Sequence, residues 1–346
     1  MDHPDISLAY LRTITDHTGI IQHGFHSIPN RRLGYTTDDN SRALIVAVQN
    51  YEMTGKREDL DLAITYISYL HYAQNPDYKF KNVMNFEHEF LDAEGTQDCY
   101  GQTMWACGFA ASSGLPENVR IVPRKMFQDG IVWVGDLDSP RAKSYSMLGM
   151  CGYLQGNEDK AGVKDKLDVL ADSLVAAIRA YSEAAWHWYE AYLTYGNAIL
   201  PLAMLSAAQI TGKKEHMEAA VSTMNFLTET VIIDGRLEVI GNDGWYTRGS
   251  KRAWFDQQAV DAGYIVYLYA RAYEALGDKS YLELARIAYS WFFGNNRSGV
   301  QVYDPITHGC YDAITPWGLN LNQGAESIVC FLLAQFAISK FNDQRG

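Results

Sequence analysis

Two kinds of apolar pattern alternate along the chain. Residues 43–48 (ALIVAV) are apolar on every helical face, which is typical of a helix that is buried all round. The following segment places Leu60, Ile64, Ile67 and Leu70 at spacings of three and four between polar residues, which predicts an amphipathic helix. The same test predicts further buried helices, giving a set at 38–54, 97–112, 140–155, 194–211, 257–276 and 323–340. It predicts amphipathic partners at 58–73, 117–130, 163–180, 214–230 and 279–292, with 5–15 as the sixth.

A helical hairpin recurs along the chain. Three stretches end one helix and begin the next in the same way: YEMTGKREDLDLAITYISYL (51–70), AAQITGKKEHMEAAVSTMNFL (207–227) and YEALGDKSYLELARIAYSWF (273–292). A superhelical solenoid of helix pairs is the alternative, but solenoid repeats keep a tighter period than this one. The pattern therefore predicts an all-α fold, an (α/α)6 barrel of six hairpins in two concentric rings that forms a single domain over 1–346.

The connections differ in length according to their direction. Those from a buried helix to its amphipathic partner are short, whereas the return connections are long, near 16–37, 74–96, 181–193, 231–256 and 293–322. All the long loops therefore emerge at the end of the barrel where the inner helices begin. Long loops in compact domains are usually functional, so we expect the site at this end.

Polar and aromatic side chains concentrate at that end. Polar residues around the starts of the inner helices are predicted to line the site: Asn40, Arg42, Asp98, Tyr195, Asn197, Gln257, Gln258, Asn322 and Gln323. The long loops add rings: His23, Tyr35, His88, Trp186, Trp188, Trp245, Trp254 and Trp317. Aromatic faces beside amides and carboxylates suit a sugar, whose C–H face stacks while its hydroxyls form hydrogen bonds. The alternatives are that the polar residues cap helices and that the rings fill a wide barrel.

Glycoside hydrolysis needs one protonated and one ionised carboxyl group. The candidates are Asp38, Asp39, Glu190, Asp256 and Glu326. Glu190 follows the run WHWY, whose rings would desolvate the carboxylate and raise its pKa, although salt bridging is an equal alternative. Neighbouring residues on a helix point about 100° apart, so one of Asp38 and Asp39 is expected to face the cavity and the other to cap or to pair with Arg42. We favour Asp39 as the one that faces the cavity.

Composition excludes several classes of function. The chain has 41 acidic and 29 basic residues, a net charge of −12, which disfavours nucleic acid and anionic membranes as partners. No apolar run spans a membrane and the first residues do not form a signal peptide, so a cytoplasmic location is expected, unless a signal peptide has been trimmed. Five cysteines without CxxC spacing predict free buried thiols. We predict no metal, because the clusters at 23–26 and 87–89 lack HExxH spacing, and no cofactor, because phosphate and dinucleotide motifs are absent.

Three segments resemble a known family. GIIQHGFHSIPNRRLGYTTDDNSRAL (19–44), WYEAYLTYGNAILPLAML (188–205) and NLNQGAESIVCFLLA (320–334) are similar to the helical domain found alone or fused to family 4 bacterial glycosyltransferases, among the six-hairpin glycosidases. The resemblance implies the same fold, a sugar context and a possible glycosyltransferase partner. The family pattern after LTY has an acidic residue before Asn, whereas here Gly196 precedes Asn197, so no catalytic role is carried over there.

These observations lead to three hypotheses of function. The first is a glycoside hydrolase acting on an oligosaccharide, containing mannose or glucose, with two carboxyl groups as acid and as base or nucleophile. The second is a sugar isomerase or epimerase on the same barrel, with His23, His88 and His187 as proton carriers. The third is a glycan-binding partner of a glycosyltransferase that has no activity of its own.

Overall fold

The computed structural model describes residues 4–157 and 162–341. These residues form twelve α-helices: α1 (Ala9–Thr13), α2 (Thr37–Thr54), α3 (Arg57–Ala73), α4 (Gln97–Ala111), α5 (Glu117–Gly130), α6 (Pro140–Gly156), α7 (Val163–Tyr181), α8 (Ile199–Thr211), α9 (Lys214–Val231), α10 (Ala259–Leu276), α11 (Lys279–Ser290) and α12 (Ala325–Ser339). A short 3-10 helix at Ile131–Asp136 follows α5. Most bounds agree closely with the predicted ones, except that α1 is shorter than 5–15 and that α8, α10 and α12 begin later than predicted.

The helices form two concentric rings. The even-numbered helices pack on one another in the order α2, α4, α6, α8, α10, α12, and α12 closes the ring by packing on α2. Each odd-numbered helix packs outside this ring. The run 43–48 in α2 is fully buried, whereas α3 buries Leu60, Ile67 and Leu70 but exposes Ile64 in part. The predicted all-α (α/α)6 barrel is therefore confirmed.

The repeated hairpin turns have one chemical basis. Gly55, Gly212 and Gly277 end the inner helices α2, α8 and α10 with positive φ angles of 65°, 71° and 72°. In each case the glycine N–H donates to the carbonyl of the residue four positions earlier. Glycine adopts this left-handed conformation without the steric cost that a Cβ brings, and the chain can reverse within two residues. This turn explains why the repeat was visible in the sequence.

Glycines also bring α4 and α6 unusually close. A Cβ added to Gly108 would lie 2.0 Å from the backbone oxygen of Gly149, and one added to Gly149 would lie 2.2 Å from that of Met104. Both positions are helical, so here the missing side chain allows close packing and not an unusual backbone angle. This crossing sets how tightly the inner ring closes between these two helices.

Short strands brace the loops at one end of the barrel. They are β1 (Gly24–Phe25), β2 (Ile28–Pro29), β3 (Tyr35–Thr36), β4 (Val83–Met84), β5 (Tyr192–Leu193), β6 (Ile232–Ile233), β7 (Arg236–Leu237), β8 (Tyr246–Thr247), β9 (Gln257–Gln258), β10 (Tyr303–Asp304), β11 (Gly309–Cys310), β12 (Ala313–Thr315) and β13 (Gly318–Asn320). Strands β13, β12 and β9, in that order, form the one three-stranded sheet among the described residues, and the other strands form two-stranded sheets. All pairings are antiparallel.

Three inner helices begin later than predicted. Residues 194–197 form a turn in which the Asn197 side chain bonds to both backbone groups of Thr194, so α8 starts only at Ile199. Gln257 and Gln258 form β9, and α12 begins at Ala325. The polar residues before these helices therefore lie in loops and strands and not in a first helical turn.

The core is continuous and largely apolar. Side chains from both rings form one cluster of buried residues. All five cysteines are free and buried, as predicted. None of the helices in 4–157 and 162–341 combines the length and the apolar character needed to cross a membrane.

Candidate active site

A polar cavity of about 330 Å³ opens where the inner helices begin. We call it the mouth cavity. It is lined by residues from α2, α12 and the long loops: Gln22, His23, Asp38, Asp39, Arg42, Asn242, Asp256, Gln258, Asp312, Ala313, Asn320, Gly324, Glu326 and Ser327. Of the predicted site residues, the structure brings seven together here: His23, Asp38, Asp39, Arg42, Asp256, Gln258 and Glu326. Five carboxyl groups thus share one small space with one arginine and one histidine.

Arg42 organises two of these carboxyl groups. Its Nη2 donates to Asp39 Oδ1 at 2.7 Å, and its Nη1 donates to Glu326 Oε2 at 2.8 Å. The guanidinium and Asp39 are almost fully buried, whereas the Glu326 side chain is 46% exposed. A planar guanidinium suits this arrangement because it can hold two acceptors at fixed angles. Glu326 is therefore anchored through one oxygen, and the rest of its carboxylate faces the cavity.

The two adjacent aspartates divide their roles, but in the opposite sense to the prediction. Asp39, and not Asp38, pairs with Arg42, and Thr36 Oγ1 also donates to it at 2.7 Å. Asp38 is the more exposed of the two. Burial raises the pKa of Asp39 to about 7, with Asp38 and Glu326 adding to the rise and Arg42 opposing it. Three carboxyl groups around one cation leave a negative excess, which favours retaining one proton.

Asp256 reaches the cavity from the loop before β9. Its side-chain oxygens form no hydrogen bond with any described residue, while its backbone oxygen accepts from Asn242. Partial burial raises the pKa of Asp256, and the nearby charge of Asp243 raises it further. A carboxyl group without a fixed partner and with a raised pKa has the properties of a proton donor.

Asp312 was missed by the sequence analysis. It lies just before β12, and its Oδ1 accepts from the Gly324 backbone at 2.7 Å and from Ser327 Oγ at 2.8 Å, which ties this loop to the start of α12. Burial raises its pKa, although His23 opposes the rise. A single acidic residue in a 30-residue loop gives no periodic signal, and only the pairing of β12 with β9 brings it to the cavity. Gln22, Asn242 and Asn320 lie in long loops and were missed for the same reason, whereas Ser327 was missed in the first turn of α12.

A second charged group lies beside the mouth cavity, on the same end of the barrel. Arg141 donates to Glu190 at 2.8 Å, to Thr194 Oγ1 at 2.6 Å and to the Tyr195 carbonyl at 2.6 Å. Its guanidinium also covers the Tyr195 ring, 5.0 Å from the centroid. Tyr195 in turn donates to Asp98 and lies beside the Trp245 ring. We call these residues the Arg141 cluster.

The Arg141 cluster changes the interpretation of Glu190. Its side chain is 9% exposed and is paired with an equally buried guanidinium, so salt bridging is the role that the structure shows. Trp186 donates to the backbone oxygen of Glu190 and not to its carboxylate. A carboxylate held by arginine is poorly suited to donate a proton. The prediction of Glu190 as the acid is therefore corrected.

Asp261 lies beneath the mouth cavity and the Arg141 cluster. It lies in the first turn of α10, is almost fully buried, and its Oδ2 has no hydrogen-bond partner. Burial raises the pKa of Asp261 to about 7. The backbone N–H groups of residues 196–197 and the charge of Arg141 lower this pKa, while the charge of Glu326 adds to the rise. Asp261 does not line the mouth cavity, so it is a buried carboxyl group beneath the site.

Seven residues predicted to bind substrate are buried structural residues instead: Tyr35, Asn40, Trp186, Trp188, Asn197, Gln257 and Gln323. Their polar groups already have protein partners in most cases. Gln257, for example, bonds to Glu238 and to Trp291, and Gln323 bonds to Asp304 and Thr307. The tryptophans of the WHWY run pack on Phe226. These residues shape the loops and do not contact the cavity.

The remaining predictions lie outside the mouth cavity for different reasons. His88 is exposed and bonds to Thr18. The Trp254 ring is engaged by two guanidinium groups, since Arg252 and Arg297 lie over it at 4.4 and 4.2 Å from its centroid. Trp317 is 95% exposed at the turn between β12 and β13, and Asn322 accepts a hydrogen bond from the His26 backbone.

One group in the described residues has the composition of a metal site, and it is not at the mouth. Asp168, Asp172 and His216 lie together on α7 and α9. Lys213 already contacts both carboxylates, at 2.7 and 3.1 Å, and His216 Nε2 lies 2.8 Å from Asp172. This cluster forms a network of ion pairs between outer helices.

Comparison with known proteins adds structural relatives only. No family model and no curated protein sequence matches the chain. A sugar epimerase from a ruminal bacterium superposes with a TM-score of 0.70 and 13% identity over 93% of this chain and 94% of that one. Cellobiose 2-epimerase from Bacillus thermoamylovorans gives 0.73 and 11% over 97% and 96%. A GH76A α-1,6-mannanase from Salegentibacter sp. gives 0.65 and 11% over 96% of each chain.

Identities this low establish the fold and nothing finer. Both the epimerases and the mannanase cover nearly the whole chain, so the likeness extends to all six hairpins and is not confined to a fragment. The chain has the six-hairpin (α/α)6 glycosidase-like fold that its sequence resemblance implies.

Proposed function

We propose that the protein is a glycoside hydrolase that cleaves an oligosaccharide in the mouth cavity. The observation that carries the proposal is the grouping of a fixed and a free carboxyl group in one cavity. Glu326 is anchored by the always-charged Arg42, which suits an ionised base or nucleophile. Asp256 has a raised pKa and no fixed partner, which suits the acid. Hydrolysis of a glycosidic bond uses such a pair.

The roles follow from the surroundings of each group. Asp256 would protonate the oxygen of the leaving sugar, and Glu326 would attack the anomeric carbon or activate a water for that attack. Asp38, Gln258 and Asn242 would take hydrogen bonds from sugar hydroxyls, since they line the same cavity. Asp39 and Arg42 are positioning residues, because they act through Glu326.

Loss of either carboxyl group tests this assignment. Asp256→Asn and Glu326→Gln should each lower kcat at least about 100-fold on any oligosaccharide that the wild type cleaves, because each removes one half of the acid and base pair. A panel of mannosyl and glucosyl oligosaccharides, with product analysis, provides the measurement. Asp61→Asn, on the exposed surface of α3, is the control and should keep wild-type activity. Unchanged activity in both cavity variants would contradict the proposal.

The pH profile tests the acid separately. Asp256 is active while it holds its proton, so activity should fall as the pH rises through its raised pKa. Asp243→Asn removes a charge that contributes to the rise, and should move the alkaline limb of the profile to lower pH with little change in the maximal rate. The measurement is kcat/KM against pH for the wild type and this variant. An alkaline limb at the same pH in both would mean that Asp256 is not the acid.

A sugar epimerase or isomerase is the second candidate. It is favoured by His23, which lines the mouth cavity close to Asp312, and by the fold relatives whose names describe epimerases. His88 and His187 do not line the mouth cavity. Of the three histidines predicted as proton carriers, His23 alone lies there, whereas a mechanism with two histidines needs a second one. Deuterium uptake from solvent at the carbon next to the carbonyl of a reducing sugar, abolished in His23→Ala, would favour this function.

A glycan-binding protein without turnover stays the third possibility, and the proposed glycosyltransferase partner stays a prediction. Thermal stabilisation by an oligosaccharide, with no product formed over days, would indicate binding alone.

A further inference from the structure

A second and larger cavity lies at the opposite end of the barrel. Its volume is about 760 Å³, and the C-terminal halves of all six inner helices line it. We call it the axial cavity. Volumes of about 300–1,000 Å³ are typical of ligand sites, whereas packed interiors contain few voids larger than a water molecule. Nothing in the proposed function uses this space.

Aromatic side chains form the floor of the axial cavity. They are Trp105, Phe109, Tyr267 and Phe336. Trp105 packs on Tyr145, Tyr264 and Tyr267 with ring centroids 5.9–6.3 Å apart, and this layer separates the axial cavity from the region of Arg42. Phe109 and Tyr267 are partly exposed, so their rings offer apolar surface to the cavity.

The polar groups of the axial cavity that remain free are neutral. Gln49, Gln155 and Gln209 come from three different inner helices, and no hydrogen bond joins their side chains to another described residue. Gln49 Oε1 is buried without a partner, which is unusual because most buried polar atoms are paired. The Tyr267 hydroxyl also has no partner among the described residues.

The charged groups of the axial cavity are already engaged. Arg271 and Lys340 both pair with Glu274. Glu52 accepts a hydrogen bond from the Gly114 backbone at 2.6 Å. A phosphate or carboxylate ligand would need a free cation, and neither of the two cations here is free. The chemistry left over is amide and hydroxyl groups above aromatic rings, which matches a neutral molecule with hydroxyl edges and an apolar face.

We propose that the axial cavity is a second binding site, for a neutral carbohydrate. The sugar ring would stack on the floor while its hydroxyls bond to the three glutamine amides and the tyrosine hydroxyl. The inference does not depend on hydrolysis at the mouth, because the two cavities share no residue.

Calorimetric titration with cellobiose, and separately with an α-1,6-linked mannobiose, tests the proposal. The double variant Gln49→Ala/Gln209→Ala should weaken binding of at least one of these sugars tenfold or more at one class of sites. The control is Gln301→Ala, an exposed glutamine outside both cavities, which should bind like the wild type. Any cleavage of oligosaccharides at the mouth should continue unchanged in the double variant.

A second variant protects the test against misfolding. Ser206→Phe places a ring in the axial cavity without altering the glutamines, and it should abolish the same binding event while circular dichroism shows a folded helical protein. The proposal is wrong if neither sugar binds the wild type, or if the double variant and Ser206→Phe both bind like Gln301→Ala.

Discussion

Arg42 is the residue on which the geometry of the mouth cavity depends most. It is 2% exposed and neutralises Asp39 while it anchors Glu326. Arg42→Gln would leave buried negative charge without a partner, so the free energy of unfolding should fall by about 3–5 kcal/mol. Arg57→Gln removes an exposed i,i+4 pair and should change it by less than about 0.5 kcal/mol. Urea unfolding measures both, and equal effects would show that Arg42 is not buried among carboxylates.

Asp261 should make stability depend on pH. An unfolded aspartate has a pKa of about 3.9, whereas burial raises that of Asp261 to about 7. The folded protein therefore binds more protons between these values, and its stability should fall as the pH rises through them. Asp39, raised in the same direction, should act likewise.

Asp261→Asn tests this dependence, because the amide does not titrate. The loss of unfolding free energy between pH 5 and pH 8 should be smaller in the variant by about 2–3 kcal/mol. Urea unfolding at the two pH values provides the measurement, with the exposed Asp61→Asn as a control that should keep the wild-type dependence. The same pH dependence in wild type and Asp261→Asn would contradict the account of Asp261.

At the residue scale the sequence predicted those site residues whose position follows from helical register. Asp38, Asp39 and Glu326 lie in the first turns of α2 and α12, Arg42 lies one turn further along α2, and the structure brings all four to the mouth cavity. The positions of side chains in loops were harder to predict, because tertiary packing decides whether a ring such as Trp188 faces the core or a ligand. The opposite error occurred at Asp312, which was not predicted although it lines the mouth cavity. No pattern near Asp312 in the sequence marks it, and the pairing of β12 with β9 brings it to the site.

At the scale of elements, the crossing of α4 and α6 depends on glycine. Gly108→Ala would place a methyl group against the Gly149 carbonyl, so we expect a loss of about 1–3 kcal/mol in unfolding free energy. Gly135→Ala is the matched control, because its added Cβ would have no neighbour within 4 Å. Thermal unfolding of both variants provides the comparison, and a Gly108→Ala protein as stable as Gly135→Ala would mean that the helices are further apart.

Helix bounds were predictable where local chemistry ends the helix. The left-handed glycines at 55, 212 and 277 mark the ends of α2, α8 and α10 in the sequence itself. The starts of α8 and α10 were placed too early, because a side-chain turn at Asn197 and the pairing of β9 with β12 compete with helix formation. The second of these is non-local, and no pattern within the segment shows it.

At the scale of the whole molecule, the barrel has two ends with different chemistry. The end with the long loops carries the charged mouth cavity, as the loop lengths predicted. The other end carries the axial cavity, whose unpaired polar groups among the described residues are amides and a hydroxyl. The sequence did not predict this cavity, because its lining residues come from all six inner helices. The cavity forms only when the six inner helices close into a ring, so the sequence pattern of a single helix does not predict it.

We propose above all that the mouth cavity cleaves a glycosidic bond. Proton NMR of an oligosaccharide in D₂O with the wild type and Glu326→Gln tests it most directly, since cleavage and exchange give separate signals. We predict new reducing-end anomeric signals in the wild type, none in the variant, and no deuterium at the carbon next to the anomeric centre. Deuterium at that carbon with the glycosidic bonds intact would contradict the claim and favour an epimerase or isomerase.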